Sequence, residues 1–341
     1  MCFIKLKPAK PLFNGFNDNY ISLRSTQCIN GIFILLVFLS HARNRILTLP
    51  SYTSDPLNSI YGIIQDHLGQ SIVITFLFFS GFGVMESIKK KGAQYVSAMP
   101  SRRIGKTLLH FDIAVLMFLF LDLIFGHMKK YTVAQVLLSF VAWESVGNSN
   151  WYIFAVLLLY VFTFISFKFF KNNYALSVAG VSVLTAAYMI VLSFFKDSWW
   201  YDTVILYPLG MWYSLGKERV DSVFKRKPIV YYIAFVISAA AFCVCHVLRG
   251  NFFCYELSQI ALMAVILLIT MKLRIGNNIL EFFGRHLFEI YILMMLPMTV
   301  LEYFNITNTY IYVIVSFSVT VVLAVLFKKL LAFIDGKIFS H

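Results

Sequence analysis

Long apolar runs recur along the whole chain, each closing on polar or basic residues. The first, Gly31-Ile-Phe-Ile-Leu-Leu-Val-Phe-Leu-Ser-His41, ends on an imidazole. The runs are continuous rather than alternating, and each is close to the ~20 residues that cross a bilayer as a helix. They predict helices at 28–48, 71–88, 108–126, 150–170, 175–195, 201–216, 229–248, 256–273, 285–304 and 309–332. The expected fold is therefore all-α, a polytopic transmembrane bundle of about ten helices. Residues 1–341 read as a single membrane-embedded domain, with 1–27 a cytoplasmic N-terminal segment, 28–332 the helical bundle and 333–341 a cytoplasmic tail. The sixth run is short and holds Pro208 and Gly210, so a tilted or broken helix is expected there. Residues 132–145 are apolar but short, with a polar end, and suit an interfacial or re-entrant helix.

Composition agrees with this pattern. Of 341 residues, 60% are hydrophobic and only 13% charged, against about 25% charged in a soluble domain. The net charge of +13 does not point to nucleic acid, because its distribution is topological. Only six of the 29 Lys and Arg (Arg43, Arg45, Lys129, Lys130, Lys196 and Arg249) fall in the pieces that would face outward. The rest, including Lys5 and Lys10, fall in the alternate pieces, which places both termini inside. Met1 to Tyr20 is polar and basic, without the apolar core of a cleavable signal peptide. Cys2, Cys28, Cys243, Cys245 and Cys254 include no C-x-x-C pair and read as reduced. No metal site is expected.

Titratable groups at membrane depth are costly and therefore candidates for function. His41 stands ~16 Å above Asn30 and ~25 Å above Arg24 along a helix, in the outer half of the first span. Arg45, four residues on, shares its face and is a candidate support for a neutral imidazole. Position alone favours Ser40, His41, Arg43 and Arg45 as a polar helix end with snorkelling arginines. In the second helix, Gly81 and Gly83 read as close-packing positions, and Glu86 as a solvated inner-end acid. The third helix carries His110, Asp112 and Asp122, with His127 just beyond. Asp122 lies at a depth comparable with His41 and is a candidate to orient an imidazole. Arg102, Arg103 and Lys106, in the densest basic stretch, suit either anionic lipid or the phosphates of an anionic cytoplasmic ligand. His246, Glu256, Glu289 and Glu302 lie near helix ends, where side chains are commonly part-wet.

Several segments together resemble the integral membrane acyltransferase 3 family, which includes bacterial sugar and polysaccharide O-acetyltransferases. Members begin with Arg-Gly-(apolar)-His, similar to Asn30-Gly31 through His41 here. Phe76-Leu-Phe-Phe-Ser-Gly-Phe82 resembles a second motif, Arg103-Ile-Gly-Lys106 a basic third, and Trp151-Tyr-Ile with Tyr160 a fourth. Gly284 to Pro297, with Tyr291 inside it, resembles the last. Two positions depart from the pattern. The arginine before the first glycine is Asn30, and a late histidine falls at Met294 or Met295. Arg24 is almost two turns away from Asn30.

The resemblance implies transfer of a short acyl group, most simply acetyl, from acyl-CoA to a hydroxyl of a sugar or cell-surface polysaccharide. His41 would be the base or acyl carrier, with Asn30, Arg45 and Asp122 in support. Arg102, Arg103 and Lys106 would bind the donor, and Trp151, Tyr160 and Tyr291 would line the pocket. Acetyl-CoA or another acyl-CoA is then a substrate and not a bound cofactor. The expected setting is a multi-pass protein in the bilayer, the inner membrane in a bacterium. Two rival readings remain open on the sequence: a transporter of a polysaccharide precursor or small amphipathic substrate, and an inactive acyltransferase-like scaffold.

Overall fold

The computed structural model describes residues 6–8, 15–50, 52, 55–171 and 173–339. Cys2, Lys5, Lys10 and the last two residues of the expected tail lie outside them. The described residues form the helices α1 Leu23–Ile46, α2 Pro56–Leu68, α3 Ile74–Lys91, α4 Ala93–Met99, α5 Lys106–Ile124, α6 Val133–Ser139, α7 Trp151–Phe170 and α8 Tyr174–Leu192. These are followed by α9 Leu206–Arg226, α10 Pro228–Val247, α11 Phe252–Lys272, α12 Asn278–Arg285, α13 Leu287–Leu293, α14 Met295–Tyr303 and α15 Thr309–Ile338. Eight stretches among them are long and apolar enough to cross a membrane. The protein is an all-α, polytopic membrane protein. The one sheet among the described residues pairs β1 Leu6–Pro8 with β2 Leu273–Ile275, antiparallel, with Leu6 opposite Ile275. Cys28, Cys243, Cys245 and Cys254 are free thiols.

Two expectations about broken helices are corrected. The sixth run is one continuous helix, α9, because Pro208 is its third residue. A proline in a first turn removes an N–H that has no helical partner there. The interruption falls instead in the ninth run, 285–304, which is split at Met294 into α13 and α14, with α12 ending at its first residue. Residues 132–145 form only the two-turn α6, capped by a reciprocal pair of hydrogen bonds between Thr132 and Gln135. The sequence reading missed α2. Its start is marked by Asp55, whose carboxylate accepts from the Asn58 N–H at 3.0 Å, and by Pro56 at the first helical position.

The chain divides into two compact units. The first comprises 1–33, 70–95 and 165–285. Its densest contact is between α3 and α9, where glycines meet backbone reciprocally. A Cβ on Gly81 would collide with the Tyr207 carbonyl, and one on Gly210 with the Phe78 carbonyl. Gly83 faces open space, so only Gly81 has the packing role expected of both. Glu86 is not simply solvated. It accepts from Lys89 and from the Ser214 hydroxyl, each at 2.6 Å. The second unit comprises 34–69, 96–164 and 286–341 and holds nearly all the candidate site residues.

Candidate active site

In the second unit, α2 lies along the Ile46 end of α1 and engages its polar side chains in turn. The Ser40 hydroxyl is 3.1 Å from the Tyr61 hydroxyl, which itself donates to the Leu36 carbonyl at 2.7 Å. Arg43 donates to the Asn58 carbonyl at 3.2 Å, and Asn44 accepts from Gln65 at 2.7 Å. Arg45 forms an ion pair with Glu302 at 2.9 Å and also donates to the Thr299 hydroxyl and the Gly147 carbonyl. Glu302 in turn accepts from Tyr312 at 2.9 Å. The part-wet helix-end acid of the sequence reading is thus the counter-ion of Arg45.

His41 lies within this stretch, half-buried, with no hydrogen-bond partner among the described residues. A histidine serving only to cap or anchor would be bonded, as its polar neighbours are. Its ring nitrogens are therefore not committed to a structural bond among the described residues.

Asp122 does not supply the partner. Its carboxylate lies 3.6 Å from Nδ1 of His127 and accepts from the Tyr131 hydroxyl at 3.1 Å. Burial and that carboxylate push the Tyr131 phenol up to about 12, which keeps it a donor. Asp122, His127, Tyr131, Arg45, Glu302 and Tyr303 line one cavity of about 470 Å³ at the Ile124 end of α5.

A second cavity, of about 650 Å³, lies at the opposite end of α5. Its wall carries Arg102, Arg103 and Lys106 together. A π-helical stretch, Pro100–Gly105, joins α4 to α5 and presents both arginines; such wide turns inside helices recur at functional sites. The sequence reading missed the carboxylate that balances this cluster. Asp335, near the end of α15, pairs with Lys106 at 2.6 Å and lies 2.8 Å from His110 Nε2. Asp335 falls in the expected tail, but α15 continues through it. His110 and Asp122 are twelve residues apart on α5, so the two cavities are ~18 Å apart along it.

The aromatic candidates are all buried. Tyr152 lies edge-on to both Trp151 and Tyr291, with centroids 5.9 and 5.3 Å away. The Tyr291 hydroxyl is buried, with no partner in full hydrogen-bond geometry among the described residues. Tyr160 is buried in the same helix as Trp151. At the two departing positions, Met294 is fully buried, and Met295 accepts a 3.7 Å contact from the Ser149 hydroxyl. Asn30 belongs to the first unit, and its Oδ1 is buried with no hydrogen-bond partner among the described residues. Arg24 does not take the place of the missing arginine, because it is committed to Glu281 at 2.9 Å and Asn278 at 2.8 Å.

No cluster of three or more His, Cys, Asp or Glu able to hold a metal ion occurs among the described residues. Compared with known proteins, residues 27–329 match the model of acyltransferase 3, described as an acyltransferase domain. No curated protein and no solved structure matches the chain.

Proposed function

The chain belongs to the acyltransferase 3 family, and from that premise we propose that it moves a short acyl group, acetyl in the simplest case, from acyl-CoA to a sugar hydroxyl. It is a multi-pass membrane acyltransferase; the donor, the acceptor and the role of His41 are the proposal. The observation that carries it is the unpartnered His41, set among side chains that are otherwise all engaged. A neutral imidazole with a free lone pair is a competent nucleophile or base. Arg45, one turn away, is fixed by Glu302, so its charge stays close to His41 without bonding it.

The cavity that gathers Arg102, Arg103 and Lys106 has the charge to hold the donor's phosphates. Asp335 neutralises part of that charge and fixes Lys106 in place. The arm of the donor would then extend along α5 toward the level of His41. We take His41 as the acyl carrier, because the bound phosphates and the outer cavity lie at opposite ends of α5. Its lone pair attacks the thioester carbonyl and the C–S bond breaks. The thiolate leaves with the electron pair and takes the proton from the imidazole's other nitrogen.

The test is His41→Ala in the full-length protein. Release of free thiol from acetyl-CoA and acetylation of the host cell's glycans should both fall to background. Undiminished acetylation would refute the mechanism. Substrate flux across the membrane without thiol release by the wild type would favour the transporter reading, and neither activity would favour the scaffold.

A further inference from the structure

The cavity at the Ile124 end of α5 contains a second histidine that the donor chemistry leaves unused. His127 faces Asp122 through Nδ1 at 3.6 Å. Its Nε2 has no hydrogen-bond partner among the described residues, and its side chain is 30% exposed. The second oxygen of Asp122 is held by Tyr131, so the carboxylate is fixed from both sides. Beside it, Tyr303 stacks on Phe125 with centroids 4.0 Å apart and remains half exposed. The Arg45–Glu302 pair completes the wall.

This mixture is informative about the ligand. The carboxylates of Asp122 and Glu302 are balanced by Arg45 and Lys130, so the wall has no net charge to select an ion, and its polar groups leave little continuous apolar surface for an acyl chain. A braced aromatic ring offers an apolar face to the C–H side of a sugar ring. Carboxylate and guanidinium offer acceptors and donors to its hydroxyls. The volume, about 470 Å³, is that of a small-molecule site.

Resting on the acyl-transfer reading, we infer that this cavity is the acceptor site and that His127, held in orientation by Asp122, is the base that activates the acceptor hydroxyl. The hydroxyl oxygen attacks the carbonyl carbon of the acyl group carried on His41, and its proton passes to Nε2 of His127. The C–N bond to His41 breaks, and its electron pair returns to the ring nitrogen. That nitrogen is reprotonated from His127, so both imidazoles end neutral. His41 lies only one turn, ~6 Å, from the cavity-lining Arg45 along α1. The second histidine thus stands on the loop after α5, not at the Met294 and Met295 positions.

The test compares wild type, His127→Gln, Asp122→Asn and His41→Ala in two assays. One is the burst of free thiol from acetyl-CoA with purified protein. The other is base-labile acetate on the glycans of cells producing each form. We expect His127→Gln to lower glycan acetate roughly 100-fold, within the usual range for a general base, while keeping the thiol burst within about twofold of wild type. Asp122→Asn should act in the same direction, and His41→Ala should lose both. Retention of the burst also shows that His127→Gln is folded. Wild-type glycan acetate in His127→Gln would overturn the assignment, as would loss of its thiol burst. No burst from the wild type would overturn the carrier step on His41 and this assignment with it, whereas no acetate on the glycans of wild-type cells would overturn the acyl-transfer reading itself.

Discussion

Arg45 Nη1 lies 2.9 Å from Glu302 Oε2, tying the last turn of α1 to the last turn of α14. Each side chain is about four-fifths buried, at 21% and 24% exposure. Removing one member leaves the other charged and poorly solvated. Glu302→Ala and Arg45→Ala should therefore each cost about 1–3 kcal/mol, read as a lowered midpoint of thermal unfolding in detergent. The double variant should cost less than the sum of the two. Additive costs would mean that the pair contributes nothing.

The three cations at the other end of α5 make a kinetic prediction. Arg102→Gln and Arg103→Gln should each raise the apparent KM for acetyl-CoA roughly 10-fold, the low end for a hydrogen bond to a charged group. Turnover at saturating donor should stay within about twofold. Lys106→Gln should also weaken donor binding and, by freeing Asp335, lower thermal stability. Initial-rate measurements at two salt concentrations would check this, because screening should narrow the difference.

Gly81→Ala and Gly210→Ala push a methyl group into a facing backbone carbonyl. Backbone yields less than a side chain, so each should cost about 1–3 kcal/mol or more and reduce the yield of monodisperse protein. Gly83→Ala, which meets open space, should behave as wild type. Equal yields from all three would refute the packing assignment.

Asp55 predicts how stability depends on pH. Burial alone would raise its pKa, but hydrogen bonds from Thr309, Asn58 and Tyr52 more than offset this and hold it below the usual carboxylate value. A carboxylate with a depressed folded pKa contributes stability above its unfolded pKa, about 3.9. That contribution is lost as pH falls through the folded value. Thermal stability should therefore drop below about pH 4, and Asp55→Asn should flatten that drop. An identical acid profile in the variant would remove Asp55 as its cause.

Much of the scaffold was legible in the sequence, since a bilayer leaves few choices for a long apolar run. Asp55-Pro56 was also a readable helix start, overlooked because the segment after it is less apolar than a span. The break at Met294 was legible in Pro297, which has no N–H to bond the Leu293 carbonyl, so a new helix starts just before it, whereas Pro208 sits where a first turn tolerates it. Depth along its helix singles out Asp122, but depth does not define direction. Its proximity to His127 depends on how the chain turns back after α5, and Gly126, with φ +70°, begins that turn.

The sequence alone determined that this protein lies in the membrane, which family it resembles, and that His41 is costly enough to require a reason. Hydrophobic period, charge bias and motif order are local properties that survive without a fold. Only the tertiary structure decided that Arg45 pairs with Glu302, that Asp335 steadies the basic cluster, and that Asp122 faces His127. These partners lie up to 257 residues apart in the chain. Distances of a few ångströms between remote side chains are fixed by helix packing, and no pattern along one helix encodes them.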